Sequence, residues 1–302
     1  MSIKTIDLQF LGTPEAIAVY LMETEEGPIL FETGPYSCLP KLKEGLAKFG
    51  YTTNDVKHVF LTHVHLDHAG AAWHFAEQGA KIYVHPSGER HLLDPTKLVE
   101  SATKIYGGQM EFLWGEFRAI NSSQLVLADH EESFNVFGND IKSLHTPGHA
   151  SHHVAWKTSQ GIICGDVAGI KLGNGPAIPP CPPPDINLDH WRNSLDILIA
   201  EAPSTIYLSH FGAYNEAVKH LMQLKNELEV WDLFAAQLYK ADQEVQHAFV
   251  PFGDWMEKRL TSLTNDPLLA ERYSIANPPW MSVTGLFRYY MKKADVNAKI
   301  KA

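Results

Sequence analysis

Cysteine is scarce. Cys38, Cys164 and Cys181 are the three in 302 residues, and none belongs to a CxxC pair. So odd and sparse a set excludes a disulfide framework and argues against a thiolate zinc site. Basic residues are outnumbered: 25 Lys and Arg face 35 Asp and Glu, a formal charge of −10. Binders of nucleic acid or anionic membrane carry a basic face, so neither partner is expected and a small-molecule substrate is. No uncharged run reaches the roughly 18 residues needed to span a bilayer. The opening MSIKTIDLQF alternates polar and apolar residues and lacks the apolar core of a signal peptide. A cytoplasmic address is the expectation. Glycine (21) and proline (18) are too few for a low-complexity or collagen-like chain.

The first third reads as β, then α/β. Short apolar runs at 3–10, 16–24 and 28–33 predict a strand meander. A helix is expected at 39–49, a strand at 56–61, a helix at 69–78 and a strand at 82–84. Residues 87–117 look helical and loop-like and carry Tyr106, Phe112, Trp114 and Phe117. Strands return over 124–166. The stretch GNGPAIPPCPPP at 173–184 cannot be regular structure. A helix at 188–201 and a strand at 205–208 follow. From 214, Val218, Leu221, Leu224, Leu228, Trp231, Phe234 and Leu238 recur every three or four residues, a helical stripe. Two domains result, 1–213 and a helical extension at 214–302. A stripe of this kind needs a partner surface, either the functional face of the first domain or a second copy in a homodimer.

Histidine is the abundant residue, 16 in all. The strand ending at Leu61 runs into Thr62-His63-Val64-His65-Leu66-Asp67-His68. In an extended chain residues i, i+2 and i+4 share a face, so His63, His65 and Asp67 start on one side, and His68 turns in as the helix begins. Three imidazoles and a carboxylate within six residues form a nitrogen/oxygen metal-ligand set. Chance would produce this spacing in about 2 chains of this composition in a thousand.

THVHLDHAG resembles the signature of the metallo-β-lactamase-fold hydrolase superfamily. That family's later elements have counterparts in HTPGH at 145–149, CGD at 164–166 and LSHFG at 208–212, each after an apolar run. The resemblance covers roughly residues 1–215. TPGHASHH, GDVAG and the proline-rich loop before a Trp-bearing helix look nearest to the glyoxalase-II-like group. It implies an α/β fold, a four-layer αββα sandwich, with a C-terminal helical extension here. It implies a dinuclear site: His63, His65 and His149 on one metal, Asp67, His68 and His210 on the other, and Asp166 bridging. Two divalent ions are implied, zinc first, with iron or manganese as alternatives. Asp67 would be catalytic, its second oxygen orienting a metal-bridging hydroxide that cleaves an ester, thioester or lactone. One position departs from the pattern. Glu32-Thr33-Gly34 stands where the family usually has Asp-Thr-Gly, so Glu32 is one methylene longer than the residue that supports the ligands. His152 and His153, close after His149, are candidates for a supporting role behind the ligands. The remaining histidines default to structural roles.

Other readings on the same scaffold are a phosphodiesterase and an iron-dependent persulfide dioxygenase, which keeps the same ligands. An RNase-like activity is opposed by the acidic balance. A non-catalytic binding protein should have lost ligands, and none is lost. Substrate choice resides in loops and appendages rather than the metal core, here 87–117, 171–187 and the C-terminal helices.

Overall fold

The computed structural model describes residues 2–240 and 244–301, the side chains of 297–301 excepted. Two compact bodies emerge. One comprises Met1–His145, His152–Gly165 and Ser204–Asn215; the other comprises Thr146–Ser151, Asp166–Pro203 and Glu216–Ala302.

The first body holds both sheets. Ile3–Asp7 (β1), Ala18–Glu23 (β2), Pro28–Phe31 (β3), His58–Phe60 (β4), Lys81–Val84 (β5) and Leu125–Leu127 (β6) pair in that order. The sheet is mixed: β1–β3 are antiparallel neighbours, and β3–β6 run parallel. The second sheet has the order β12-β11-β10-β9-β8-β7. Its strands are Ser133–Val136 (β7), Asn139–His145 (β8), Val154–Thr158 (β9), Gly161–Ile163 (β10), Ile206–Leu208 (β11) and Gly212–Tyr214 (β12). Only β10 and β11 pair in parallel there.

Strand alternation sorts the core. On β2, Ala18, Tyr20 and Met22 join Phe31, Phe60, Trp156 and Tyr207 in one cluster, built from both sheets. Val19 and Leu21 point the other way, into a cluster with Leu30, Val59 and Ile82 and with residues of the helices Leu39–Ala47 (α1) and Ala72–Glu77 (α3). Strands apolar on both faces are what a sheet covered on both sides requires. Phe60 stacks on Tyr83 at 4.0 Å and meets Trp156 edge-on at 4.9 Å. Full burial of such side chains contributes about 1.5–3 kcal/mol each.

The expected helix at 69–78 differs in detail. Two short helices form instead, Leu66–Ala69 (α2) and α3. The Ala71 N–H is taken by the Gly34 carbonyl at 3.0 Å, so it does not continue the ladder. The extended-chain geometry therefore ends at His65, and Asp67 and His68 project from a helical turn. Residues 87–117 supply Pro86–Leu93 (α4), Thr96–Tyr106 (α5) and Met110–Trp114 (α6).

The second body is helical: Leu188–Ala200 (α7), Ala217–Lys240 (α8), Val245–Thr264 (α9), Pro267–Ala276 (α10) and Pro279–Lys301 (α11). Leu221, Leu224, Leu228 and Trp231 of the predicted stripe are buried. Among them sits Glu227, also buried, held by both oxygens to Arg259 on α9 at 2.8 and 2.6 Å. Among the described residues no helix is long and apolar enough to cross a membrane.

Candidate metal centre

In the first body the motif starts where β4 ends. The turn is tied to the second sheet by Val154 N–H to Thr62 O (2.8 Å) and by Trp156 Nε1–H to Leu61 O (3.0 Å). His63 Nε2 and His65 Nδ1 lie 3.0 Å apart. One turn on, Asp67 Oδ2 is 3.5 Å from His68 Nε2 and 3.4 Å from His210 Nε2. Asp67, His68 and His210 thus offer three ligand atoms within 4.8 Å of one another. Burial alone would raise the Asp67 carboxyl pKa; the His68 and His210 imidazoles beside it hold it well below the usual carboxylate range.

The groups behind these residues are buried. The Glu32 Oε1 atom accepts from the Thr62 hydroxyl and from the Thr62 N–H (3.3 Å), and faces His68 Nδ1 at 3.4 Å. Thr62 Oγ1 also lies 3.0 Å from His63 Nδ1. The longer Glu32 side chain therefore meets the support of one candidate ligand, Thr62 behind His63, and a second candidate ligand, His68, directly. Its backbone has φ 67°, in the left-handed region. Thr33 fixes the same turn, its N–H and hydroxyl both donating to His68 O at 2.9 and 2.8 Å. The His153 ring is 5.2 Å from the His63 ring; the His152 ring is 6.2 Å from His63 and 6.0 Å from His65.

In the second body His149 and Asp166 come together, Nε2 to Oδ2 at 3.3 Å, both buried. Gly148 precedes His149 with φ 148°, and a Cβ there would sit 2.7 Å from Trp191 N and closer still to Trp191 Cα. Only glycine lets the loop pass against α7. Trp191 Nε1–H donates to Val167 O at 2.7 Å, and His220 Nε2–H donates to Ala168 O at 2.8 Å. These bonds pin the turn that carries Asp166.

The donor set suits a divalent metal. His210 Nδ1 lies 2.8 Å from Ala16 O, and His149 Nδ1 lies 3.0 Å from Pro180 O. A carbonyl can only accept, so each Nδ1 carries a proton, which makes each Nε2 the atom able to offer a lone pair to a cation in place of its own proton. All the donors are nitrogen or oxygen, which fits zinc, iron or manganese.

Residues 12–210 match the family model described as the metallo-beta-lactamase superfamily. The chain belongs to the metallo-β-lactamase superfamily.

The metallo-β-lactamase fold, with its two mixed sheets, carries a helical C-terminal region in this member. The metallo-beta-lactamase fold-containing protein ST1585 of Sulfurisphaera tokodaii is 26% identical over 223 residues, 72% of this chain and 82% of that protein. An N-acyl homoserine lactonase from Bacillus sp is 28% identical over 162 residues, 44% of this chain and 54% of its own length. The crystal structure of a metallo-beta-lactamase family protein from Thermus thermophilus, TTHA1429, superposes with a TM-score of 0.69 at 18% identity, covering 97% of this chain and 94% of that one. This last likeness speaks to the fold.

Several residues of this superfamily member escaped the sequence reading. Thr62 has no assigned role in the motif read from the sequence. The Ala16 and Pro180 carbonyls have no residue-type signature at all. Tyr106 was seen only as one aromatic of a helical segment; its phenol pKa is raised by burial and then by the Asp67 carboxylate.

Proposed function

We propose that this protein is a metal-dependent hydrolase that uses water to cleave a carboxylic ester, thioester or lactone. The observation that carries the reading is the Asp67, His68 and His210 cluster, in which the His210 Nδ1 is spoken for by a carbonyl while its Nε2 faces Asp67. We assign His63, His65 and His149 to one ion, Asp67, His68 and His210 to a second, and Asp166 to both. Two divalent cations held there, zinc in the first instance, would supply Lewis acidity and a water nucleophile at neutral pH.

The chain's own residues have defined parts. Asp67 would ligate an ion through one oxygen and leave the other free to orient the attacking water. Glu32 and Thr62 fix the rings of His68 and His63 from behind, as carboxylates and hydroxyls do in histidine metal sites. A cysteine nucleophile is opposed by burial of all three thiols, which raises each pKa, Cys38 to about 11. The similarity to an N-acyl homoserine lactonase supports carboxylic over phosphate esters. The TPGHASHH and GDVAG segments favour the glyoxalase-II-like group, and a cytoplasmic setting suits the composition.

Solvent labelling tests the reading. Zinc-loaded protein is screened against thioesters, lactones, aryl esters and phosphodiesters, and the preferred substrate is turned over once in H₂¹⁸O. One labelled oxygen in the released acid and full inhibition by a chelator are expected. A trapped acyl-enzyme, or turnover that consumes O₂, overturns it.

A further inference from the structure

We propose that the C-terminal helices α10 and α11 act as a positioning device for the His149 imidazole, and hence for metal affinity. The inference rests on the reading above, in which His149 is a ligand. The link is the loop 172–182. This stretch is rich in proline, so few N–H groups are available to hold it in a sheet ladder. Backbone bonds close only its first part: Ile170 and Ile178 exchange N–H to O at 2.9 Å each, and Gly175 N–H donates to Leu172 O at 2.9 Å. Beyond these bonds, side chains of α10, α11 and the turn between them hold the loop.

Tyr273 on α10, fully buried, bridges two loop residues. Its hydroxyl accepts from Leu172 N–H (2.9 Å) and donates to Pro176 O (2.6 Å). Asn277 donates from Nδ2 to Pro179 O at 3.2 Å. Ser282 on α11 accepts from Cys181 N–H at 3.3 Å and donates to Asn277 Oδ1 at 2.8 Å. Gly285 lets α11 approach this closely, since a Cβ there would collide with Cys181 O and lie 3.0 Å from the Pro182 carbonyl carbon. The anchored residues Pro179 and Cys181 flank Pro180 on both sides. The Pro180 carbonyl accepts the His149 Nδ1–H at 3.0 Å, and Trp191 meets the ring edge-on at 5.8 Å. An unanchored carbonyl would leave the imidazole free to turn its Nε2 away. Tyr273, Asn277 and Ser282 are thus positioning residues that touch neither substrate nor metal.

The test measures zinc affinity directly, by competition with a chromophoric chelator, together with the visible spectrum of the Co²⁺-substituted protein. Tyr273→Phe removes both loop bonds of Tyr273. Asn277→Asp removes the donor to Pro179 and keeps the acceptor for Ser282. Leu260→Ala, a core truncation in α9 that removes none of these bonds, is the control for general destabilisation. Both loop variants should bind zinc about tenfold or more weakly, the usual effect of losing a partner behind a ligand, with a shifted Co²⁺ spectrum. Leu260→Ala should bind zinc like wild type. In a His149→Ala background the loop substitutions should cost nothing further, because the group they orient is gone. Wild-type zinc affinity in the loop variants, an equal loss in Leu260→Ala, or losses fully additive with His149→Ala would each overturn the proposal while leaving the hydrolase reading standing. Failure of the wild-type protein to bind zinc would remove both.

Discussion

His220 should make the protein acid-labile. Its imidazole is buried on α8, and burial pushes its pKa down to about 4, with Lys171 adding a smaller push and the bond to Ala168 O opposing it. In the unfolded chain a histidine titrates near 6.5. The folded pKa is the lower one, so the unfolded chain takes up the proton first as pH falls. Stability from this group is therefore complete above about pH 6.5, drains away between there and about pH 4, and changes no further below. The gap of about 2.5 pH units at 1.36 kcal/mol each corresponds to about 3 kcal/mol, of which about 2 kcal/mol is gone by pH 5.

The assay is urea unfolding of metal-free protein at several pH values, wild type beside His220→Gln. Glutamine keeps a donor for Ala168 O and does not titrate. The other histidines titrate in both proteins, so the difference between the two isolates His220. Wild-type stability relative to the variant should fall by about 2 kcal/mol between about pH 7.5 and about pH 5. Parallel loss of stability in the two proteins would refute the argument, since it would mean that His220 takes up its proton equally in the folded and unfolded chains.

Two further outcomes are expected. Gly148→Ala should cost on the order of 3 kcal/mol in urea unfolding, because its Cβ meets the Trp191 backbone and its φ of 148° suits glycine alone; an unchanged midpoint would contradict this. Asp166→Asn, which removes the negative charge proposed to lie between two cations, should lower the zinc content by about one ion per chain in elemental analysis, and a fully loaded variant would show that Asp166 serves neither ion.

What the sequence disclosed and what it hid divide along a physical line. Strands such as β2 and β3 were legible because a two-sided buried strand needs an unbroken apolar run, and α8 because its stripe repeats at the helical period. The local shape of the motif was less so. Periodicity gave the helix after the histidines but not its start inside them, since that depends on Gly34 reaching Ala71 from a distant part of the chain. The supporting groups were hidden for the same reason. A threonine between Glu32 and His63, or a carbonyl at Ala16 or Pro180, acquires its role only when the chain is folded around it. Glu32 joins the two kinds of information. Its identity announces one extra methylene relative to the family pattern, which by itself suggests a misplaced carboxylate. With the backbone at φ 67°, that carboxylate instead meets both the Thr62 hydroxyl and His68 Nδ1. A substitution that reads as a departure in one dimension is compatible with the same support in three. The distinction matters for relatives carrying Glu at this position, where the backbone conformation, rather than the residue letter, decides whether the carboxylate meets its partners.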